Sequence, residues 1–157
     1  MFDCKILRME KFVDVKVRVD RTCSPQQMLD ALGYEQLIGG HVVLDEMPRG
    51  EGEEVDIHLF SPGRDIANDD DREIEYARRG LKSADPYSLL AIVKANPDFL
   101  VWGGCNHIVT YYKDGGSRLC HVLVFKRITG ERTVDVEIYE RGWSRTCWFA
   151  GIRNGAG

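Results

Sequence analysis

Cysteine and histidine side chains stand at both ends of the stretch CNHIVTYYKDGGSRLCH, residues 105 to 121. Cys105 and His107 lie at one end, and Cys120 and His121 lie at the other. Thiolates and imidazoles are common zinc ligands, and a cysteine beside a histidine is also a known nucleophile and base. The stretch therefore raises two possibilities, a metal site or a catalytic pair, provided that folding brings its ends together.

The DGGS sequence in the middle of this stretch predicts a tight turn between two antiparallel strands. With residues 115 and 116 as a two-residue turn, the rows of Cys120 and His107 lie about 13 Å apart along the strands. Zinc ligands lie only about 2.0 to 2.3 Å from the metal. Side-chain alternation also sends Cys120 and His121 to opposite faces. We therefore predict no metal site and no Cys120–His121 catalytic pair, and expect no cofactor.

The same register, extended through a turn at residues 129 and 130, assigns the side chains of the following strands to two faces. His121 falls on the apolar face, so we predict a buried histidine held by a hydrogen bond. The chemically notable residues of the opposite face are Cys105, His107, Cys120, Asp135, Glu137 and Tyr139.

The polar residues of this second face are candidates for catalysis. In the predicted register Asp135 lies in the cross-strand row of His107, two strands and about 9.6 Å away, with Glu137 on the diagonal. An imidazole base oriented by a carboxylate, with Cys105 nearby, would suit a small hydrolase or transferase. A covering helix or an ordinary ion-pair network would explain the same residues without catalysis.

Aromatic and arginine side chains alternate in the C-terminal segment, a composition typical of interface hot spots and base-stacking platforms. The candidates for binding are Tyr139, Arg141, Trp143 and Arg145. Trp143 follows a turn glycine and is expected to be exposed, whereas Trp148 is expected in the core. The leading hypothesis is a small binding module that recognises a protein partner through this surface. The enzyme is the alternative, and single-stranded nucleic-acid binding is a third possibility.

Periodicity and capping signals predict the elements that position these residues. Valines at alternate positions of FVDVKVRVD, residues 12 to 20, predict a strand with one solvated face. Ser24, Pro25 and Gln27 predict a capped helix that ends before Gly33. A second helix is predicted from the acidic run that begins at residue 68, and a third after Asp85 and Pro86.

The remaining segments predict strands. Residues 41 to 47 and 54 to 60 form two of them, separated by an acidic, glycine-containing loop that is expected to be exposed and mobile. Four more, joined by short turns, are predicted at about 105 to 113, 118 to 128, 132 to 140 and 146 to 152. The predicted fold is a single α+β domain over residues 1 to 157, with a largely antiparallel sheet, a C-terminal four-stranded meander and about three helices packed on it.

Composition limits the classes of function. With a net charge of -4, the chain lacks the overall positive electrostatic potential that attracts double-stranded nucleic acid. Five cysteines at irregular spacings favour free thiols in the cytoplasm. No apolar run is long enough to span a membrane, and the charged N-terminal residues do not resemble a secretory signal. We found no phosphate loop, nucleophile elbow, zinc-protease or dinucleotide motif.

Overall fold

A computed structural model describes residues 10–98, 107–138 and 142–154 of the chain. In these residues eight strands form one mixed sheet in the order β1-β3-β8-β5-β6-β7-β2, and β4 pairs with β8 beside this path. In chain order the elements are β1 (Lys11–Arg18), α1 (Pro25–Asp30), β2 (Glu35–Ile38), a 3-10 turn (Leu44–Glu46), β3 (Glu54–Ser61), α2 (Asp69–Arg78), β4 (Leu81–Ser83), α3 (Pro86–Ala95), β5 (His107–Lys113), β6 (Leu119–Lys126), β7 (Arg132–Ile138) and β8 (Cys147–Arg153).

The predicted fold class, a single α+β domain with a largely antiparallel sheet and three helices, is confirmed. Strands β5, β6 and β7 form a meander, but β8 does not continue it. Instead β8 lies between β3 and β5, antiparallel to the first and parallel to the second. The burial of β8 explains this position, because Trp148 and Phe149 point to opposite faces and are both buried. A strand that is apolar on both faces belongs in the centre of a sheet.

Local signals account for the helix starts. Ser24 accepts a hydrogen bond from the Gln27 amide while the Gln27 side chain accepts one from the Ser24 amide, which confirms the predicted capping box. Asn68 caps α2 and Asp85 caps α3 in the same manner. None of the described helices has the length and hydropathy of a membrane span.

The sheet is covered on both faces. Helices α1 and α3 pack on one face, named the back face here, where the valines of β1 also lie. Helix α2 packs on the opposite, front face, where Tyr76 contacts Phe60 and Phe149.

Segment 41–47, predicted as a strand, contains the 3-10 turn instead. Val42, Leu44 and Met47 pack against the back-face core without pairing, whereas Val43 is 51% exposed. Their alternation indicated burial and not sheet membership.

The loop after residue 47 is tied to the domain by the guanidinium of Arg21. Its Nε donates to the carbonyl oxygen of Gly52 at 2.8 Å, and its terminal nitrogens donate to the carbonyls of Arg49 and Glu51. The same guanidinium pairs with Asp85 at 2.9 Å. The loop is exposed, as predicted, and one largely buried arginine satisfies three of its carbonyl groups.

An ion-pair network joins α2 to the segment before it. Arg64 contacts Asp71 and Glu75 at 2.7 Å, and Glu75 also contacts Arg79. Hydrogen bonds from Arg64 and from the Ala67 amide lower the pKa of Asp71 to about 2. Burial alone would raise the pKa of Glu75, but the bonds from Arg79 and Arg64 outweigh it and the net shift is downward.

Replacing Arg64 by methionine is expected to weaken folding by about 1 kcal/mol near neutral pH, since the arginine is partly exposed. Both carboxylates have lower pKa values in the folded chain than in the unfolded chain, where they are near 3.8 and 4.5. Their contribution is therefore present above those values and is lost as the pH falls toward about 2. Urea unfolding at several pH values should show the difference between wild type and variant shrinking over this range. An equal difference at every pH would contradict the assignment, and Arg153→Met serves as the control.

Candidate functional site

The turn between β5 and β6 has three residues and not the predicted two. Ser117 adopts a left-handed conformation with φ of 66°, and the Asp114 amide donates to the Arg118 carbonyl at 2.9 Å. The Asp114 carboxylate also accepts from the amides of Gly116 and Arg118. These bonds stabilise the longer turn and move the register by one residue, so that Cys120 lies opposite Tyr112.

This shift exchanges the faces of β6 relative to β5. Cys120, predicted on the face of His107, lies instead in the back-face core and is 1% exposed. Burial is the largest influence on its thiol and raises the pKa of Cys120. His121 moves to the front face, where it is 2% exposed. The prediction of a buried histidine is confirmed, although the face differs from the predicted one.

The predicted alignment of His107 with a carboxylate is wrong. The row of His107 continues through Phe125, on which its ring stacks, to Thr133. Asp135 belongs to the next row, opposite Leu123. His107 and Asp135 are therefore separated by two inter-strand spacings and by one row along the strands, which places their backbones about 12 Å apart.

The structure does not bring the other catalytic candidates together with His107. Glu137 lies opposite His121, two rows from His107. Cys105 lies outside the described residues. Among the described residues, no three histidine, cysteine or acidic side chains are grouped as a metal ion would require.

Trp143 is buried, and the expectation that it is exposed is wrong. Its backbone pairs with Ile66, which draws the segment over the front face. The indole ring lies 5.4 Å from the ring of His121 and meets Phe149 edge-on, leaving 4% of the residue exposed. The tryptophan covers the core at the place where an exposed aromatic was expected.

Of the remaining candidates for binding, only Arg145 lies in the described part of the chain. Arg145 is exposed, and its guanidinium lies 3.5 Å from Asp65. Tyr139 and Arg141 lie outside the described residues. The described part of the C-terminal segment therefore presents two accessible arginines, Arg145 and Arg153, and no accessible tryptophan.

A buried arginine, Arg72, occupies the centre of the front face and is 1% exposed. One terminal nitrogen donates to Asp69 at 2.9 Å and to Nε2 of His121 at 3.0 Å. The guanidinium carbon lies 3.5 Å from the ring centroid of Tyr111, within the range of a cation–π contact. The second terminal nitrogen lies 3.6 Å from Glu73. The cation is thus held on four sides.

These contacts define the chemistry of the neighbouring groups. Because an arginine has only donors, Nε2 of His121 must accept this bond, and its lone pair is not available as a base toward a substrate. Tyr111 donates to Glu73, and burial, reinforced by that carboxylate, raises the pKa of Tyr111. The cluster therefore provides a fixed cation and a protonated phenol, and Nε2 of His121 is engaged by the arginine.

A wedge-shaped groove opens beside this cluster. Strands β5 and β8 pair only as far as Val109 and Phe149, and beyond this point β8 pairs with β4. The space left between β4 and the end of β5 has a volume of about 470 Å³. Its lining residues are Asp69, Asp70, Arg72 and Glu73 of α2, Lys82 and Ser83 of β4, Tyr111, Tyr112 and Lys113 of β5, and Leu119 of β6.

Charges in the wedge groove are segregated between its walls. The acids lie on α2, where Asp69 and Glu73 face the guanidinium of Arg72. Lys82 and Lys113 are exposed on the strand wall, and neither has an ion-pair partner within residues 10–98, 107–138 and 142–154. The lysines of the strand wall are therefore accessible to a ligand.

A second groove, of about 440 Å³, lies beside the end of β1 and is lined in part by Arg21 and Glu53. The donors of Arg21 are already engaged by loop carbonyls and by Asp85. This groove is a consequence of how the loop is anchored, and it offers a ligand less than the wedge groove does.

The wedge groove was missed in the sequence because its parts come from four separate elements. Arg72 stands in an acidic run that helix capping already explains, and the divergence of β5 from β8 depends on long-range pairing.

No protein family model, curated protein or solved structure matches the chain.

Proposed function

We propose that the protein is a binding module that takes an acidic segment of a partner protein into the wedge groove. The observation that carries this proposal is the pair of exposed lysines, Lys82 and Lys113, on one wall of a preformed groove. Neither lysine forms an ion pair with a carboxylate of the described residues, although the acids of α2 line the opposite wall, so both lysines are available to a ligand carboxylate.

The buried cluster supports the site by fixing the opposite wall. Arg72 joins the first turn of α2 to β5 and β6 through Asp69, Tyr111 and His121. Side chains locked by such contacts lose little conformational entropy when a ligand binds. Asp70 is exposed in that same turn, where the positive end of the helix dipole offsets part of its charge.

The shape of the wedge groove favours an extended segment. Residues 110 to 113 of β5 pair with β6 on one side, and within the described residues no strand pairs with them on the other side, where β4 diverges. Tyr112 and Leu119 add apolar surface near the lysines. A volume of about 470 Å³ falls in the range of ligand pockets, about 300 to 1,000 Å³, so a few residues of a partner would occupy it.

Two features bear on the other hypotheses. The separation of His107 from Asp135 gives less support to a hydrolase or transferase at that place. The burial of Trp143 gives less support to a partner surface on the C-terminal segment. A cytoplasmic setting is part of the proposal and is supported by the free thiols of Cys23, Cys120 and Cys147.

Selection of a random peptide library displayed on phage against the wild-type protein should enrich sequences that contain several acidic residues. Reversing both lysines, in Lys82→Glu/Lys113→Glu, should weaken the selected peptides at least about tenfold, which corresponds to about 1.4 kcal/mol. The affinity for wild type should also fall with added salt, because the lysines are exposed. Fluorescence anisotropy with labelled peptides measures both effects.

A charge-matched control separates the groove from the overall charge of the protein. Lys94 and Lys126 lie on α3 and at the end of β6, away from the groove, and Lys94→Glu/Lys126→Glu changes the net charge by the same amount. The control should bind the selected peptides as wild type does. Equal binding by the groove variant and the control, or enrichment without acidic residues, would contradict the proposal.

A further inference from the structure

Within residues 10–98, 107–138 and 142–154, strand β1 leaves one edge of the sheet unpaired. It pairs with β3 over eight residues, and no other described strand lies on its outer side. The strand contains no proline, and its register with β3 runs without interruption. Proteins usually protect such an edge with a bulge, a proline, charged side chains or a covering element, because its free amides and carbonyls can pair with another chain. Of these, the described part of the chain gives β1 only charged side chains, which are of both signs, at Lys11, Asp14, Lys16 and Arg18.

The backbone groups that face outward can be identified from the pairing. The Val19 amide donates to the Glu53 carbonyl at 2.8 Å, and these two residues are the next pair of the β1–β3 register. In an antiparallel pair, hydrogen-bonded residues alternate along the strand. The odd-numbered residues of β1 therefore bond to β3, and the even-numbered ones, from Phe12 to Arg18, direct their amides and carbonyls outward.

We propose that two copies of the chain pair through β1, antiparallel, with Val15 on the two-fold axis. This register pairs each even residue with an even residue of the second copy, so both faces of the sheet continue across the junction. Asp14 lies opposite Lys16 of the second copy, and Phe12 lies opposite Arg18. The outward groups then form about eight backbone hydrogen bonds between the copies.

Charge complementarity selects this register. Within one chain Lys16 lies 3.9 Å from Asp56, and Asp14 lies 2.7 Å from His58. Joining the copies places Asp56, Lys16, Asp14 and His58 in one row across four strands, so that acidic and basic groups alternate. A register with its axis at residue 14 or at residue 16 puts Asp14 opposite Asp14, or Lys16 opposite Lys16, and like charges directly opposite are destabilising.

Apolar contacts agree with the same register. On the back face it sets Val13 opposite Val17 of the second copy and Val15 opposite itself, and Val13 and Val15 are only half-buried in one chain. On the front face Phe12, which is 59% exposed, meets the guanidinium of Arg18, a cation–π arrangement. The edge is thus self-complementary in hydrogen bonds, charge and apolar surface.

Sedimentation velocity of the full chain tests this pairing. Wild type is expected to sediment as a dimer, whereas Lys16→Glu and Asp14→Lys should each be monomeric, because each places like charges opposite one another on both sides of the axis. An equimolar mixture of the two variants should restore a dimer, since both carboxylates at positions 14 and 16 of one variant then face lysines of the other. Circular dichroism verifies that each variant is folded.

The rescue in the mixture distinguishes pairing through β1 from a loss of folding or of general solubility. A wild type that stays monomeric up to its solubility limit would overturn the proposal. Variants that remain dimeric alone, or a mixture that stays monomeric beside a dimeric wild type, would equally overturn it.

Discussion

Replacing Arg72 by methionine should lower the free energy of unfolding by about 3 kcal/mol, because removing one member of a buried ion pair leaves the others unsatisfied. Asp69 would lose its partner at 2.9 Å, and His121, itself buried, would lose the donor to Nε2. The methionine fills part of the volume over Tyr111 but restores none of these bonds. Urea unfolding followed by tryptophan fluorescence measures the change.

A matched control for Arg72 is Arg145→Ala, which also removes one positive charge. Arg145 forms an exposed pair with Asp65, and such pairs contribute little to stability. The two variants should therefore differ by more than about 2 kcal/mol. A loss below about 1 kcal/mol for Arg72→Met would show that the cluster does not hold α2 on the sheet.

Replacing Gly50 by alanine should cost about 3 kcal/mol, for two separate reasons. Its φ of 73° is unfavourable for any residue with a Cβ. A Cβ there would also lie 2.3 Å from the carboxyl carbon of Asp85, which caps α3 and pairs with Arg21. Either the loop or the cap must move, and both routes break contacts of a nearly buried carboxylate.

Gly33→Ala separates the two causes. Gly33 has nearly the same φ, 70°, but a Cβ there would meet no atom within 4 Å. Gly33→Ala should therefore lower the free energy of unfolding only by the cost of a positive φ in a residue with a Cβ, about 1 kcal/mol. Thermal or urea unfolding of both variants gives the difference. Equal costs would show that the contact between Gly50 and Asp85 relaxes freely.

Local signals in the sequence predicted the elements well. The alternating valines predicted β1, and the Ser24 capping box, Asn68 and Asp85 marked the helix starts that the structure confirms. These patterns depend on residues close in sequence, so the chain itself contains the whole signal. Segment 41–47 shows the limit, because burial of alternate side chains does not require pairing in a sheet.

The candidate site could not be predicted because it depends on register and on long-range pairing. The DGGS sequence allows a two-residue or a three-residue turn, and the three-residue turn is stabilised by hydrogen bonds to the Asp114 side chain. That single residue of difference moved Cys120 into the core and placed His121 beside Arg72. The wedge groove needs in addition the insertion of β8 beside β5, which no local pattern indicates.

The central claim is that the wedge groove binds an acidic segment, and an NMR titration tests it most directly. An acidic peptide from the phage selection would be added to ¹⁵N-labelled protein, and the chemical shifts of the backbone amides would be followed. The largest shifts are expected in the first turn of α2, at Lys82 and Ser83, and from Tyr111 to Lys113. Amides around Arg145 should remain unchanged. Shifts that concentrate around Arg145, or that leave the groove unaffected at saturation, would contradict the account.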